Sequence, residues 1–269
     1  MRLSKSCKGV LKDSFVRLFW LKEVTPIKIG IISDIHGNVK ALNAVLKDLE
    51  KQNIEKIICL GDLIGGSPMS EEVVQKIIEI KDKLIIVRGN RERYIIEGMP
   101  KVVHDEKIEV SKEQHERFKW LENSLSDSSK KYIHTLPKEL TYEVDGKKIY
   151  ICHYPIRTDG NFRKHVKNAT PEENEVMFVG IDADIYLYGH THEEIYNNIN
   201  NKMYINPGAL GCPGKTEYAP CGILTISNEK IEYEQKYVEY NVQEIIDDIK
   251  QIKFPGYEGV LRLFYGGRN

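Results

Sequence analysis

The sequence predicts an α/β protein built as a four-layer α/β/β/α sandwich, in which two mixed sheets pack face to face with helices outside them and a helical insert. Three observations favour this fold class. Strand and helix patterns alternate over the first part of the chain, a polar helical stretch follows, and short alternating strands fill most of the rest. We expect one domain over residues 27–269, because 269 residues suffice for a single large α/β domain.

The first part of the chain predicts three parallel strands joined by crossover helices. The run IKIGIIS at 27–33 is almost continuously β-branched, which is typical of a strand covered on both faces. The pattern repeats with the strands EKIICL and KLIIV and the helix SEEVVQKIIEI between them, for which Ser70 is the predicted N-cap. The helix after the first strand carries one apolar stripe, formed by Val39, Leu42, Val45, Leu46 and Leu49.

The second part predicts an insert and then a series of short strands. The stretch from about 99 to 136 is polar and helical, which indicates a helical cap or lateral insert. The segment ELTYEVDGKKIYICH predicts a hairpin that turns at Asp145 and Gly146. The segments DIYLYG, EIYNN, KMYIN, CGILTIS and KIEYEQKYVEY predict further strands, and VQEIIDDIKQI predicts a last helix.

Residues 1–26 do not follow this pattern and form a predicted N-terminal extension. The run FVRLFWL is apolar but short, is interrupted by Arg17 and lacks a small-residue cleavage site, so a signal peptide is not expected. Three interpretations stay open: a disordered or docking arm, a start codon assigned too early with Val24 as the true start, and a helix lying on a membrane surface.

Composition excludes several classes of function. Hydrophobic residues at 41% and charged residues at 29% argue against disorder and against a fibrous repeat. A net charge of −1 gives no long-range attraction to nucleic acid or to an anionic membrane, so no specific nucleic-acid binding is expected. No stretch approaches the roughly 18 apolar residues of a membrane span. Five cysteines without a C-x-x-C pair suit a reducing, cytoplasmic location, and Cys59 and Cys152 lie in core-like strands.

Residues that can bind metal follow the predicted strands at their carboxyl ends. This edge is where open α/β sheets bind ligands, so topology brings distant residues to one crevice. Taken singly, each has an ordinary structural explanation, such as a turn dipeptide, a helix cap or a buried imidazole, and only their joint occurrence favours a site. The candidate ligands are Asp34, His36, Asp62, Asn90, His153, His190 and His192.

The chemistry of these side chains predicts two metal ions. Two carboxylates, one amide oxygen and four imidazoles suit divalent Mn, Fe, Co, Ni or Zn, and we expect no thiolate in the set. Seven ligands are too many for one tetrahedral ion. With one shared carboxylate they suit two ions about 3.5–4 Å apart, the arrangement that clamps both oxygens of an in-line phosphoryl displacement.

The order D-x-H, G-D, G-N, H and G-H-T-H resembles the calcineurin-like metallophosphoesterase superfamily, and especially its small bacterial and archaeal phosphodiesterase branch. The resemblance extends from Ile27 to about Ile226 and includes NPGALG at 206–211. It implies direct attack on phosphorus by a hydroxide that bridges the two ions, without a phospho-enzyme. It also implies these ligand sets: Asp34, His36 and His192 for one ion, Asn90, His153 and His190 for the other, and Asp62 for both.

Arg91 stands where many relatives carry a histidine that protonates the leaving group. A guanidinium does not give up a proton at neutral pH, but it can grip phosphate oxygens. We therefore expect the protein to cleave bonds whose leaving group is already a stable anion, namely phosphoanhydrides or aryl esters. His165, in the loop after His153, is a candidate to overhang the substrate and replace the missing donor. Alternatively, Arg91 points outward and pairs with Glu92 or Glu97.

The predicted function is hydrolysis of a phosphodiester or of a nucleotide phosphoanhydride, with Asp62, Asn90, Arg91 and His165 as the catalytic candidates. The expected partner is a phosphorylated small molecule or a nucleotide, and the oligomeric state stays open. Two other functions also stay open: a phosphomonoesterase or protein phosphatase, and a binding scaffold of the same fold that has lost catalysis. A complete ligand set argues against the scaffold.

Overall fold

The structure is a computed structural model that describes residues 26–100, 102–103, 106–107, 109–227 and 230–268. Residues 1–25, which include nearly all of the predicted N-terminal extension and its alternative start at Val24, lie outside the described residues. Within the described ranges, no helix is both long enough and apolar enough to cross a membrane.

Strands and helices alternate in the first part of the described chain, whereas most strands of the second part follow one another directly. In order, the strands are β1 (Ile27–Ile32), β2 (Lys56–Cys59), β3 (Leu84–Ile86), β4 (Val102–Val103), β5 (Glu106–Lys107), β6 (Glu139–Val144), β7 (Lys147–Cys152), β8 (Ile185–Leu187), β9 (Glu194–Ile199), β10 (Lys202–Pro207), β11 (Tyr218–Ser227) and β12 (Lys230–Glu239). The helices are α1 (Val39–Lys51), α2 (Ser70–Glu79), α3 (Asn90–Glu97), α4 (Lys112–Ser124), α5 (Asp127–Thr135), α6 (Pro171–Met177), α7 (Val242–Ile252) and α8 (Tyr257–Phe264).

Two five-stranded sheets form the centre of the molecule, as the sequence predicts. The first has the order β12-β11-β1-β2-β3 and the second has the order β6-β7-β8-β10-β9. In the first sheet β1, β2 and β3 are parallel, whereas β11 runs antiparallel to β1. In the second sheet β7, β8 and β10 are parallel, with an antiparallel strand at each edge. Both sheets are therefore mixed.

Three separate apolar clusters confirm the four-layer arrangement. One lies between the sheets and joins Ile29 and Ile31 of β1 to Ile149 and Ile151 of β7. A second packs α1, α2, α7 and α8 on the outer face of the first sheet. A third, rich in tyrosine, packs α6 on the outer face of the second sheet. Alternate residues of each central strand face different layers, so these strands are apolar on both faces.

Some local predictions are wrong in detail. Met69, not Ser70, is the N-cap of α2, and the Ser70 hydroxyl instead accepts a hydrogen bond from the Gly65 N–H at 3.0 Å. The insert contains the predicted helices, α4 and α5, but it begins with the short β4–β5 hairpin. The hairpin predicted at Asp145 and Gly146 is confirmed, and both turn residues have positive φ.

Candidate metal centre

The candidate ligands lie together at the carboxyl ends of β1, β2, β3, β7 and β8. The loops after β1 and β2 are hydrogen-bonded to each other, from the Asp34 N–H to Gly61 O at 3.1 Å and from the His36 N–H to Asp62 O at 2.9 Å. In the second sheet, the Gly189 N–H donates to His153 O at 2.9 Å. Backbone contacts between neighbouring strand ends therefore hold the ligand-bearing loops close.

Backbone strain is concentrated at these residues. Eleven described residues other than glycine have positive φ, and five of these are candidate ligands. Such a conformation costs of order 1–3 kcal/mol and persists where the surrounding structure enforces it, as at functional sites. The five are Asp34 (52°), His36 (49°), Asp62 (53°), His190 (72°) and His192 (63°).

The first group of ligand atoms is formed by His36, His192 and Asp34. The two Nε2 atoms of His36 and His192 lie 3.0 Å apart. Asp34 Oδ1 lies 3.4 Å from His192 Nε2 and 3.7 Å from His36 Nε2. Two imidazole nitrogens and a carboxylate oxygen thus converge on one small volume.

The second group is formed by Asn90, His153 and His190. Asn90 Oδ1 lies 3.1 Å from His153 Nε2 and 2.9 Å from His190 Nδ1. The two ring nitrogens are 3.3 Å apart. This group combines one amide oxygen with two imidazole nitrogens.

Asp62 lies between the two groups and presents one carboxylate oxygen to each. Its Oδ2 is 3.7 Å from His36 Nε2, and its Oδ1 is 3.6 Å from His153 Nε2. The Arg91 backbone N–H donates to Oδ1 at 2.8 Å and orients the carboxylate. A carboxylate in this position can be shared by two cations.

Hydrogen bonds from behind fix the orientation of two ligands. Asp34 Oδ2 accepts from the Ser33 hydroxyl at 2.5 Å and from the His190 N–H at 3.0 Å, which leaves Oδ1 facing the site. His153 Nδ1 lies 2.8 Å from Leu60 O. Because a carbonyl only accepts, this contact places the proton on Nδ1 and a lone pair on Nε2, the tautomer that a metal ligand needs.

Burial sets the protonation of several ligands. It lowers the pKa of both His36 and His190 well below the usual range, so these imidazoles are neutral and can bind a cation. Burial raises the pKa of Asp62. Burial also acts to raise the pKa of Asp34. The neighbouring His192, His153 and His36 rings outweigh this effect and hold the pKa of Asp34 below the usual range.

The residues present fit a pair of divalent cations. Asp34 Oδ1 is fully buried and forms no hydrogen bond of good geometry with any described residue. A buried carboxylate oxygen without such a hydrogen bond is costly unless a cation lies beside it, and in metal-free protein the protonated His192 ring is the cation that a metal ion would replace. Oxygen and nitrogen donors of this kind suit borderline divalent ions.

At two positions the backbone passes so close to a candidate ligand that only glycine fits. A Cβ at Gly89 would lie 2.1 Å from Asp62 Oδ1, and a Cβ at Gly189 would lie 2.7 Å from Asp34 Oδ2. Neither glycine has positive φ, in contrast to Gly61. At Gly89 and Gly189 the site therefore needs the absence of a side chain and not a positive φ.

Arg91 forms no ion pair with Glu92 or Glu97, so the outward-pairing interpretation is wrong. Glu92 is fully buried, and Glu97 pairs instead with Arg93, Arg88 and Lys138. The carboxylate of Glu92 accepts hydrogen bonds from backbone N–H groups, among them those of Asp62 and Leu63. Burial and the charge of Asp62 raise the pKa of Glu92 to about 7.

Two further rings, those of His165 and Phe264, lie beside the site. The ring of His165 lies 4.9 Å from that of His190, which places this sequence-predicted residue beside the second group. Phe264 of α8 lies 5.0 Å from the ring of His36 and 5.8 Å from that of His192. No motif in the sequence points to Phe264, because its position depends on how α8 packs.

The sequence did not identify Cys212 as a residue of the site. Its sulfur and one ring nitrogen each of His36 and His192 lie within 4.8 Å of one another. We expected a ligand set without sulfur, and this is wrong in one respect: a cysteine sulfur lies near two of the candidate histidine ligands. The residue follows NPGALG, a loop that is hydrogen-bonded to the end of β1 through the Leu210 and Gly211 N–H groups, at 3.0 and 2.9 Å. These two bonds carry Cys212 to the histidines.

Comparisons with known proteins agree with this geometry. A family model described as the calcineurin-like phosphoesterase superfamily domain matches residues 27–229. An uncharacterized protein of Methanocaldococcus jannaschii is 30% identical over 88% of this chain and 98% of its own length. A phosphodiesterase of the same organism is 25% identical over 79% of this chain and 100% of its own length.

A solved structure shares the fold. The crystal structure of a hypothetical protein from Pyrococcus horikoshii aligns with a TM-score of 0.75 and 21% identity, covering 90% of this chain and 99% of the other. With the family match over residues 27–229, the chain belongs to the calcineurin-like phosphoesterase superfamily, a group of hydrolases that use divalent metals. The resemblance noted in the sequence is confirmed.

Proposed function

We propose that this protein is a dinuclear metal-dependent hydrolase that cleaves a phosphodiester or a nucleotide phosphoanhydride bond within one domain over residues 27–269. The observation that carries the proposal is the position of Asp62, whose two oxygens face two separate groups of ligand atoms at 3.7 and 3.6 Å. The family membership and the phosphodiesterase relative from M. jannaschii also support it.

Each ligand group would hold one ion. Asp34, His36 and His192 would hold the first, and Asn90, His153 and His190 the second, with Asp62 shared. When bound, two divalent ions supply an activated water as nucleophile and neutralise charge on the phosphoryl group. The mixed set of oxygen and imidazole ligands suits manganese, iron, cobalt, nickel or zinc as the bound ion.

Arg91 would bind the substrate phosphoryl group and not act as an acid. Its charge already acts on the centre: it adds to the effect of burial, which lowers the pKa of His36, and it partly opposes the larger effect of burial, which raises the pKa of Asp62. A guanidinium offers paired donors to non-bridging phosphate oxygens and stabilises charge that develops during transfer. It cannot protonate an alkoxide leaving group, so phosphoanhydrides and aryl esters are the favoured substrates.

His165 is the candidate proton donor for less activated substrates. Its ring lies beside that of His190, at 4.9 Å between centroids, on the opposite flank of the centre from Phe264. We place the reaction in the cytoplasm, since all four described cysteines are free thiols, as in a reducing compartment.

The test is a substrate panel with the metal varied. The purified chain is loaded in turn with Mn, Ni, Co, Zn and Mg and assayed with aryl monoesters, aryl diesters, nucleotides, dinucleoside polyphosphates and cyclic dinucleotides. The proposal expects metal-dependent hydrolysis of diesters or anhydrides that exceeds hydrolysis of monoesters. Absence of both divalent-metal binding and hydrolysis would instead support a catalytically silent scaffold.

A further inference from the structure

A cavity of about 240 Å³ adjoins the metal centre on the side of Arg91. It lies between the insert helix α4, the C-terminal helix α8 and the Gly65–Ser67 loop, and Phe264 forms a wall common to the cavity and the centre. Its position next to the reacting groups makes it a place for part of a substrate.

The side chains that line the cavity have an unusual composition for their location. Of the sixteen lining residues, five are aromatic, two are arginine and none is acidic. Aromatic walls favour a flat ring, and guanidinium groups favour an anion. The aromatic residues are Tyr94, Phe118, Trp120, Phe254 and Phe264.

The two arginines, Arg91 and Arg117, both line the cavity, and the carboxylate of Glu113 lies near Arg117 at its outer end. Neither forms an ion pair with a carboxylate of any described residue, and Arg91 Nε is buried without a hydrogen-bond partner among them. Burial lowers the pKa of Arg117 and the charge of Arg91 lowers it further, whereas the charge of Glu113 acts in the opposite direction. Arg91, whose buried Nε has no hydrogen-bond partner among the described residues, favours an anion in the cavity, and Arg117 adds a second positive charge that Glu113 partly balances.

Contacts place each guanidinium at a different distance from the metal centre. The Arg91 side chain passes Gly65, where an added Cβ would lie 3.5 Å from Arg91 Cδ. Arg117 lies farther out, against the start of α8, where a Cβ at Gly256 would lie 3.3 Å from Arg117 Nη1. A substrate that extends from the centre would therefore meet Arg91 first and Arg117 second.

We infer that the cavity binds the nucleoside end of a nucleotide anhydride, with its aromatic base against the ring-lined walls and its own phosphate held by Arg117. This inference rests on the proposed hydrolase function and narrows its substrate class. A cavity of about 240 Å³ is smaller than the about 300–1,000 Å³ typical of whole-ligand pockets, so it fits one base and not both halves of a dinucleotide.

Equilibrium binding to the manganese-loaded full chain tests this site without turnover. The probes are AMP and ribose 5-phosphate, which carry the same phosphate and differ by the base. Stacking of one base on aromatic side chains predicts that AMP binds at least about tenfold more tightly. Equal dissociation constants for the two probes would overturn the inference.

Variants of Arg117 test the phosphate contact. Arg117→Met keeps the apolar stem of the side chain and should weaken AMP binding about tenfold, whereas Arg117→Lys should restore part of the affinity because the charge returns. The matched control is Arg262→Met, which removes an exposed charge from α8 outside the cavity and should change AMP binding less than twofold. An Arg117→Met protein that binds AMP as the wild type does would contradict the assignment.

Hydrolysis of bis(p-nitrophenyl) phosphate, measured on the same samples, separates this inference from the proposed function. If the wild type hydrolyses the ester but binds both probes equally, the cavity assignment is wrong and the hydrolase function stands. If AMP is preferred through Arg117 but no substrate is hydrolysed with any metal, the cavity assignment stands and the proposed function is wrong.

Discussion

The carboxylate of Glu92 accepts a hydrogen bond from the backbone N–H of Asp62, with 2.9 Å between Oε2 and N. The same carboxylate accepts from the N–H groups of Leu63, Ile64 and Gly89, at 2.8, 3.3 and 2.7 Å. One buried side chain thus fixes the backbone at the ends of both β2 and β3. Glu92 supports the positions of Asp62 and Asn90 and does not itself face the ligand atoms.

Glu92→Gln should destabilise the protein. The amide replaces one carboxylate oxygen by an NH₂ donor, which then faces backbone N–H groups that have lost their acceptor. We expect a loss of about 3 kcal/mol in the free energy of unfolding and a fall of about 6–12 °C in Tm, measured by denaturant and thermal unfolding. Glu50→Gln, at an exposed position of α1, is the control and should stay within about 0.5 kcal/mol of the wild type. Equal stability of the two variants would show that the four contacts contribute little.

Arg91→His should change which leaving groups are tolerated. A histidine can donate a proton to an alkoxide, a contribution worth about 10²- to 10⁴-fold in rate, and the guanidinium cannot. We therefore expect the ratio of kcat/KM for an alkyl phosphodiester to that for a nucleotide anhydride to rise. Arg91→Lys is the control, since it keeps a charge without an acid of suitable pKa, and its ratio should stay low. An unchanged ratio in Arg91→His would contradict the assignment of Arg91.

Cys212 should affect the metal that His36 and His192 bind. Its sulfur is close enough to contribute a soft ligand, which favours zinc or cobalt over manganese. Cobalt(II)-loaded wild type should show a near-ultraviolet band from sulfur-to-cobalt charge transfer that Cys212→Ser lacks. Cys221→Ser, which alters a buried thiol in β11 away from the histidines, should keep the band. A wild-type spectrum without it would show that sulfur does not reach the ion.

Metal uptake should release protons near pH 7. Burial lowers the pKa of His192, but the interactions with Cys212 and with Asp34 outweigh it and raise the value to about 11, so the ring is protonated in metal-free protein. A bound metal requires the deprotonated ring, and uptake should therefore weaken as pH falls. Calorimetry in two buffers of different ionisation enthalpy should give a proton release that falls by about one per chain in His192→Gln. Heats that do not depend on the buffer would exclude this coupling.

Much of the fold and of the ligand set follows from local sequence. The β-branched runs before Asp34 and Asp62 fix the strands, and a polar group just after a buried parallel strand must lie at the carboxyl edge of the sheet. The pairing of β7 and β8 then brings His153 and His190 to the same crevice. These positions depend on strand order and little on the details of side-chain packing.

Other features depend on tertiary packing and could not be predicted. Phe264 reaches the centre because α8 folds back over the Gly65–Ser67 loop, and no periodicity in the sequence specifies that path. Cys212 belongs to a loop whose course is set by two backbone hydrogen bonds to Ser33 and Asp34, directly after β1. The hydrogen-bond partners of Glu92 could not be predicted either, because a sequence motif gives the residue type at a position and not the groups that it contacts.

The number of metal ions per chain tests the central claim most directly. Purified protein is stripped with chelator, loaded with excess Mn²⁺ or Zn²⁺, freed of unbound metal and measured by native mass spectrometry and elemental analysis, alongside Asp62→Asn. We expect two ions per chain in the wild type and at most one in the variant, since Asp62 faces both ligand groups. A wild-type chain that binds one ion or none under these conditions would contradict it.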